Sequence, residues 1–133
     1  MKTPETNKAP VSAHRVLVIE DDALIGMLYE DVLAEMGHSI CAIAQTVTDA
    51  VAAAAEHEPD LIIADASLRD GSGVDAVQEI VRHRFVPHLF VSGDRAGVRS
   101  RMPDAIIVQK PFLDPDLARA IQKALTAAPI PDR

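Results

Sequence analysis

An α/β fold built on a parallel sheet is predicted by two features of the chain. Five short apolar runs recur along it, each nearly continuous where a one-sided strand would alternate, and the stretches between them carry helical periodicity. Strands that alternate with helices specify a parallel sheet with right-handed crossovers and helices on both faces.

The first run is Val16-Leu17-Val18-Ile19. Leu24, Leu28, Val32 and Met36 then repeat at four-residue spacing, Ile25 and Leu33 widen that stripe, and Gly37 stops the helix. The second run is Ile40-Cys41-Ala42-Ile43-Ala44. The helical stripe after it, Val47, Ala50, Val51 and Ala54, ends ahead of Pro59, because the residue before a proline avoids helical geometry. After Leu61-Ile62-Ile63-Ala64, Ser72 and Asp75 predict a capping box in front of Val77, Ile80 and Val81. Leu89-Phe90-Val91 precedes the weakest helical segment, Arg95 to Arg101, which offers only Ala96, Val98 and a glycine and is expected to be short. Ile106-Ile107-Val108 is the last run. Leu117, Ile121, Ala124 and Leu125 form the last helix.

The 133 residues suffice for one compact domain and not for two. The expected organisation is a flexible tail over residues 1–13, one domain over 14–127 and a second tail over 128–133, with no output domain attached. Met1 to Ser12 is polar, contains Pro4 and Pro10, and does not read as a secretory signal. No apolar run approaches the roughly 20 residues that span a bilayer. Cys41 is the only cysteine, so no internal disulfide forms, and a cytoplasmic setting is expected. The net charge of −7 opposes general nucleic-acid binding, since backbone phosphates repel such a surface. It suits work with other proteins or with cations.

Polar residues fall at the carboxyl ends of the predicted strands. Glu20 and Asp21 follow the first strand, Asp65 the third, Ser92 the fourth, and Lys110 the fifth after only Gln109. In open α/β sheets ligands bind at that edge, where the strand order reverses. With the order 2-1-3-4-5, the first and third strands are neighbours, and three carboxylates converge on one small volume. Three such charges repel strongly unless a cation is present, and all-oxygen ligation favours Mg²⁺. A carboxylate nucleophile, a divalent metal, a lysine and a hydroxyl together make a phosphoryl-transfer site.

This pattern resembles the receiver domain of bacterial two-component response regulators. The matching pieces are Val16-Leu17-Val18-Ile19-Glu20-Asp21-Asp22, Pro59-Asp60-Leu61-Ile62-Ile63-Ala64-Asp65, Val91-Ser92-Gly93 and Lys110-Pro111-Phe112. With the strand–helix alternation they cover about residues 14–127. The resemblance implies a flavodoxin-like, doubly wound fold of five parallel strands. It implies that Asp65 accepts a phosphoryl group from a sensor histidine kinase or a histidine phosphotransfer protein, and that Glu20, Asp21, Asp65 and the main-chain carbonyl of Ser67 hold Mg²⁺. Ser92 and Lys110 take the hydroxyl and lysine positions of the family, and the Lys110–Pro111 bond is expected to be cis. The protein would then be a signalling switch and not an enzyme in its own right, a monomer or weak dimer that passes its signal by contact with a downstream protein. A phosphate shuttle or sink is the alternative, and a phosphorylation-independent interaction module a more distant one.

Two positions depart from the family pattern. Arg69 stands where proline is common, and Ile107 where an aromatic side chain is common. Isoleucine cannot make the inward swing of an aromatic ring, so the usual readout is in question. Haloacid-dehalogenase-type and Toprim-type sites both require a second acid two residues after the aspartate, and that residue is Ser67. Asp22 reads as a helix cap, and Asp70 as a turn residue. His14, His38, His57, His83 and His88 show no metal-ligand spacing. Cys41 reads as a small buried hydrophobe. Arg95, Arg99 and Arg101 form a basic cluster that serves either as a solvated face or as a docking surface.

Overall fold

The structure is a computed structural model that describes residues 13–127. The expectations for the two tails fall almost entirely outside these residues. Element order is β1 (Arg15–Ile19), α1 (Ala23–Glu35), β2 (Ser39–Ala44), α2 (Val47–His57), β3 (Leu61–Asp65), α3 (Gly73–His83), β4 (His88–Ser92), α4 (Arg95–Arg101), β5 (Ile107–Gln109) and α5 (Asp114–Thr126). The five strands form one parallel sheet in the order β2-β1-β3-β4-β5, as expected.

Two apolar cores result from the alternation of side chains along the strands. Leu17, Ile19, Ile62, Ala64 and Phe90 face α2, α3 and α4, meeting Ala50, Ala54, Val74, Val77, Ile80 and Val98. Val16, Val18, Leu61, Ile63, Leu89 and Val91 face α1 and α5, meeting Tyr29, Leu33, Leu117, Ala120, Ile121 and Ala124. The central strands are therefore covered on both sides, which is why their sequences read as continuous apolar runs.

Three expectations need correction. The buried face of α1 is Gly26, Tyr29 and Leu33, whereas Leu24 and Leu28 of the predicted stripe are 72% and 62% exposed. Gly26 lets the helix approach β2: a Cβ there would lie 3.1 Å from Ile43 Cγ2. The capping box on α3 is only half formed. Ser72 Oγ accepts from the Val74 amide at 3.0 Å, but Asp75 pairs with Arg101 Nη2 at 2.6 Å. Cys41 is half-buried, its thiol 3.5 Å from the Val16 carbonyl.

Helix α4 is short, as expected, and Val98 is its only buried residue. Its arginines hold it in place. Arg99 Nη1 donates to the carbonyls of Pro103 and Ala105 at 3.1 Å each, and Arg101 Nη2 reaches Asp75 on α3 and Gln78 Oε1 at 2.8 Å.

Candidate functional site: a buried acidic pocket at the strand ends

Glu20, Asp65 and Ser92 are the buried polar side chains among the described residues, and all three lie at carboxyl ends of strands. The β1–β3 register sets Ile19 beside Ala64, so the next residues, Glu20 and Asp65, emerge together. Asp65 closes β3 and Ser92 closes β4, again as neighbours in the sheet.

Lys110 Nζ donates to Asp65 Oδ2 at 2.8 Å, and the Ser67 amide donates to Asp65 Oδ1 at 2.9 Å. Both carboxylate oxygens are thus engaged by donors of opposite or partial positive charge. The Lys110 amide also bonds the Ser92 carbonyl at 2.9 Å, which fixes the lysine relative to β4, and the Lys110–Pro111 bond is cis, as the resemblance implied. Ser92 Oγ accepts from the Asp94 amide at 2.8 Å, and Asp94 in turn caps α4 through Gly97.

Glu20 is 2% exposed and is pushed up from 4.5 to about 7. Burial is the main cause; the Asp22 amide, 3.0 Å from Oε2, pulls it back, and the adjacent Asp65 charge and a shared hydrogen bond raise it further. Lys110 lowers it only slightly. Tyr29, below Glu20 on α1, is shifted the same way by burial and then by Glu20 and Asp65. It lines an apolar cavity of about 600 Å³ with Glu20, Lys110, Phe112 and Leu117.

The carboxylates meet as a pair and not as the expected triad. Among the described residues no three acidic, histidine or cysteine side chains are gathered closely enough to hold a metal ion as they stand. Asp21 Oδ2 instead accepts from the Arg69 amide at 2.8 Å, with Arg69 Nε at 3.8 Å. The donors that are present suit a hard divalent cation in kind, since Glu20 and Asp65 offer only oxygens and carry like charge.

Sequence reasoning missed Gly73 and Tyr29. A Cβ on Gly73 would lie 2.0 Å from the Asp65 carbonyl oxygen, so only glycine lets α3 begin against the end of β3. The Gly-rich turn after Asp65 was the available signal. For Tyr29 there was none, because the first part of α1, Ala23 to Tyr29, carries no charged residue to mark its outer side.

The fold and this pocket define a class: a doubly wound domain with an aspartate, a neighbouring glutamate and a lysine gathered at its switch point. Residues 16–122 match the response regulator receiver domain, and the chain belongs to that family. It is 37% identical over 117 residues to the phyllosphere-induced regulator PhyR of Methylorubrum extorquens, covering 85% of this chain and 44% of that protein. It is 34% identical to the transcriptional regulatory protein PdtaR of Mycobacterium tuberculosis, covering 95% of this chain and 63% of that one. The chain spans about half the length of these curated relatives. The solution structure of the receiver domain of Erythrobacter litoralis PhyR superposes with a TM-score of 0.80 at 35% identity, covering 91% of this chain and 96% of that one. No helix of the described residues is long and apolar enough to cross a membrane.

Proposed function

We propose that the chain is a phosphoacceptor switch in which Asp65 takes a phosphoryl group from the phosphohistidine of a sensor histidine kinase or histidine phosphotransfer protein. The observation that carries this reading is the 2.8 Å contact between Lys110 Nζ and Asp65 Oδ2 in a buried pocket shared with Glu20. A buried carboxylate beside a lysine and a second acid is suited to in-line attack on phosphorus.

An Asp65 carboxylate oxygen attacks phosphorus, the P–N bond to the donor imidazole breaks, and the imidazole nitrogen keeps the electron pair. Lys110 shifts from the carboxylate to the phosphoryl oxygens it leaves exposed, and the Ser92 hydroxyl donates to another. Glu20, Asp21, Asp65 and the Ser67 carbonyl would hold Mg²⁺, which supplies charge neutralisation at the equatorial oxygens when bound. The only substrate altered is the protein itself, so the activity is that of a switch and not of a turnover enzyme.

Readout would begin at Ser92. Movement of its hydroxyl toward the phosphoryl group strains the bond to the Asp94 amide, and Asp94 caps α4. That route does not need the aromatic residue that Ile107 replaces, and it leads to the face made by α4, β5 and α5, where a downstream protein would bind. The expected setting is the cytoplasm, with the chain as a monomer or weak dimer.

Intact mass after incubation with Mg²⁺ and phosphoramidate tests the reading. One phosphoryl adduct is expected, absent with a chelator and absent in Asp65→Asn. An adduct that persists in Asp65→Asn sinks the assignment of Asp65, and no adduct from either phosphoramidate or a phosphorylated histidine donor sinks the phosphoacceptor reading.

A further inference from the structure

We propose that Arg69 is a restraint on the site: its main-chain N–H holds the Asp21 carboxylate out of the pocket, and a divalent cation binds more weakly for it. The inference rests on the phosphoacceptor reading above and concerns Asp21, the member of the expected carboxylate triad that does not join the Glu20–Asp65 pair.

The turn that carries Arg69 is firmly placed. Leu68 is buried, and its amide and carbonyl bond the carbonyl and amide of Gly71 at 3.1 and 3.3 Å. Asp70 Oδ2 accepts from the Val47 amide at 3.3 Å, and Ser72 Oγ donates to the Ala66 carbonyl at 2.9 Å. Arg69 occupies the second position of this tight turn, and its N–H points out of it to Asp21 Oδ2 at 2.8 Å. The donor is therefore fixed before Asp21 arrives, and little ordering is lost when the bond forms. A backbone N–H to a carboxylate is among the stronger hydrogen bonds available at a protein surface.

The guanidinium adds less. Arg69 Nε lies 3.8 Å from Asp21 Oδ2, and the arginine side chain is 82% exposed, so solvent screens that attraction. The backbone donor and the side chain can consequently be separated by experiment. Proline fits the second position of a type I or II turn and lacks the N–H, whereas alanine keeps the N–H and loses only the guanidinium. The N–H of Arg69 makes no other hydrogen bond among the described residues, so proline removes the Asp21 contact alone.

The test is a Mg²⁺ titration of the intact chain by isothermal calorimetry, with ¹⁵N amide shifts of residues 19–22 and 65–70 followed in parallel. Wild type, Arg69→Ala and Arg69→Pro are compared, with circular dichroism to show that each is folded. Loss of one hydrogen bond to a charged group corresponds to about a tenfold change in affinity, so Arg69→Pro should bind Mg²⁺ about tenfold tighter and Arg69→Ala less than about threefold tighter. Equal affinity in wild type and Arg69→Pro overturns the restraint while leaving the phosphoacceptor reading intact. Weaker binding in Arg69→Pro also overturns it, because the amide would then be aiming Asp21 at the metal. If Arg69→Pro is unfolded, the Arg69 amide proton of the wild type decides: the restraint requires that it shift upfield on Mg²⁺ binding as its bond to Asp21 breaks, and a resonance that stays in place overturns it. No Mg²⁺ response in any variant overturns both this inference and the metal site on which it rests.

Discussion

The carboxyl ends of β1 and β3 and the region from α4 to β5 belong to one sheet, yet different forces hold them. Around Asp65 the structure is packed backbone against backbone: Gly73 sits under the Asp65 carbonyl, and Glu20, Asp65 and their strands are almost fully buried. Helix α4 contributes one buried side chain, Val98, and is otherwise tied down by Arg99 and Arg101 through polar contacts near the surface. Apolar burial yields only when a core is opened, whereas exposed ion pairs are worth a fraction as much and break locally. A rigidly packed strand end joined to a loosely held helix through the Ser92–Asp94 bond is an arrangement that suits the proposed two-state switch.

The packed region should fail first and most severely at Gly73. A Cβ placed 2.0 Å from the Asp65 carbonyl cannot be accommodated by a side-chain rotation, because both partners are backbone. Gly73→Ala is expected to cost about 3 kcal/mol of stability, read from the urea midpoint, and to reduce the yield of the Asp65 adduct even in protein that remains folded. A change below about 0.5 kcal/mol would mean that the acceptor end of β3 is not rigidly packed, and the contrast with α4 would lose its basis.

A pH series isolates the electrostatic part of the same packing. Glu20 titrates near 7 in the folded chain against 4.5 as its ordinary value. A raised carboxyl favours the protonated folded state, so its contribution is fully present below pH 4.5 and is lost as pH rises through about 7. With a chelator present, wild type should lose up to about 3 kcal/mol relative to Glu20→Gln between those limits. A constant gap between the two proteins across that window would show that Glu20 is not held as a buried acid.

The strands and the gathering of polar residues at their carboxyl ends were legible in the sequence for a physical reason. Strands covered on both faces must be apolar at every position, and charged residues directly after such runs have only the sheet edge to occupy. The face of α1 was not legible, since Ala23 to Tyr29 contains no charged residue and several stripes fit equally well. Gly26 and Tyr29, two of the three residues that face inward, are ones a hydrophobicity pattern ranks low. Asp75 looked like a cap because its partner Arg101 is 26 residues away on another helix. The donor that turns Asp21 aside is a main-chain N–H, which every residue except proline carries, so only the absence of proline at Arg69 hinted at it.

The smallest expected effect lies on the other side of the comparison. Arg101 bridges α4 to Asp75 and Gln78 on α3, with Arg101 and Asp75 side chains 40% and 48% exposed. Solvent at that exposure screens the pair, so Arg101→Ala should lower global stability by only about 0.5 to 1 kcal/mol. Its local effect is larger: α4 loses one of the two arginines that anchor it, and the amides of Val98 to Met102 should exchange with deuterium several-fold faster, as expected for opening of a weakly held element. Phosphoryl uptake by Asp65 should be unchanged, because no contact of Arg101 reaches the pocket. Slower exchange, or a fall in adduct yield comparable to that of Gly73→Ala, would show that α4 is held by something other than its surface contacts and that acceptor and helix are one rigid unit.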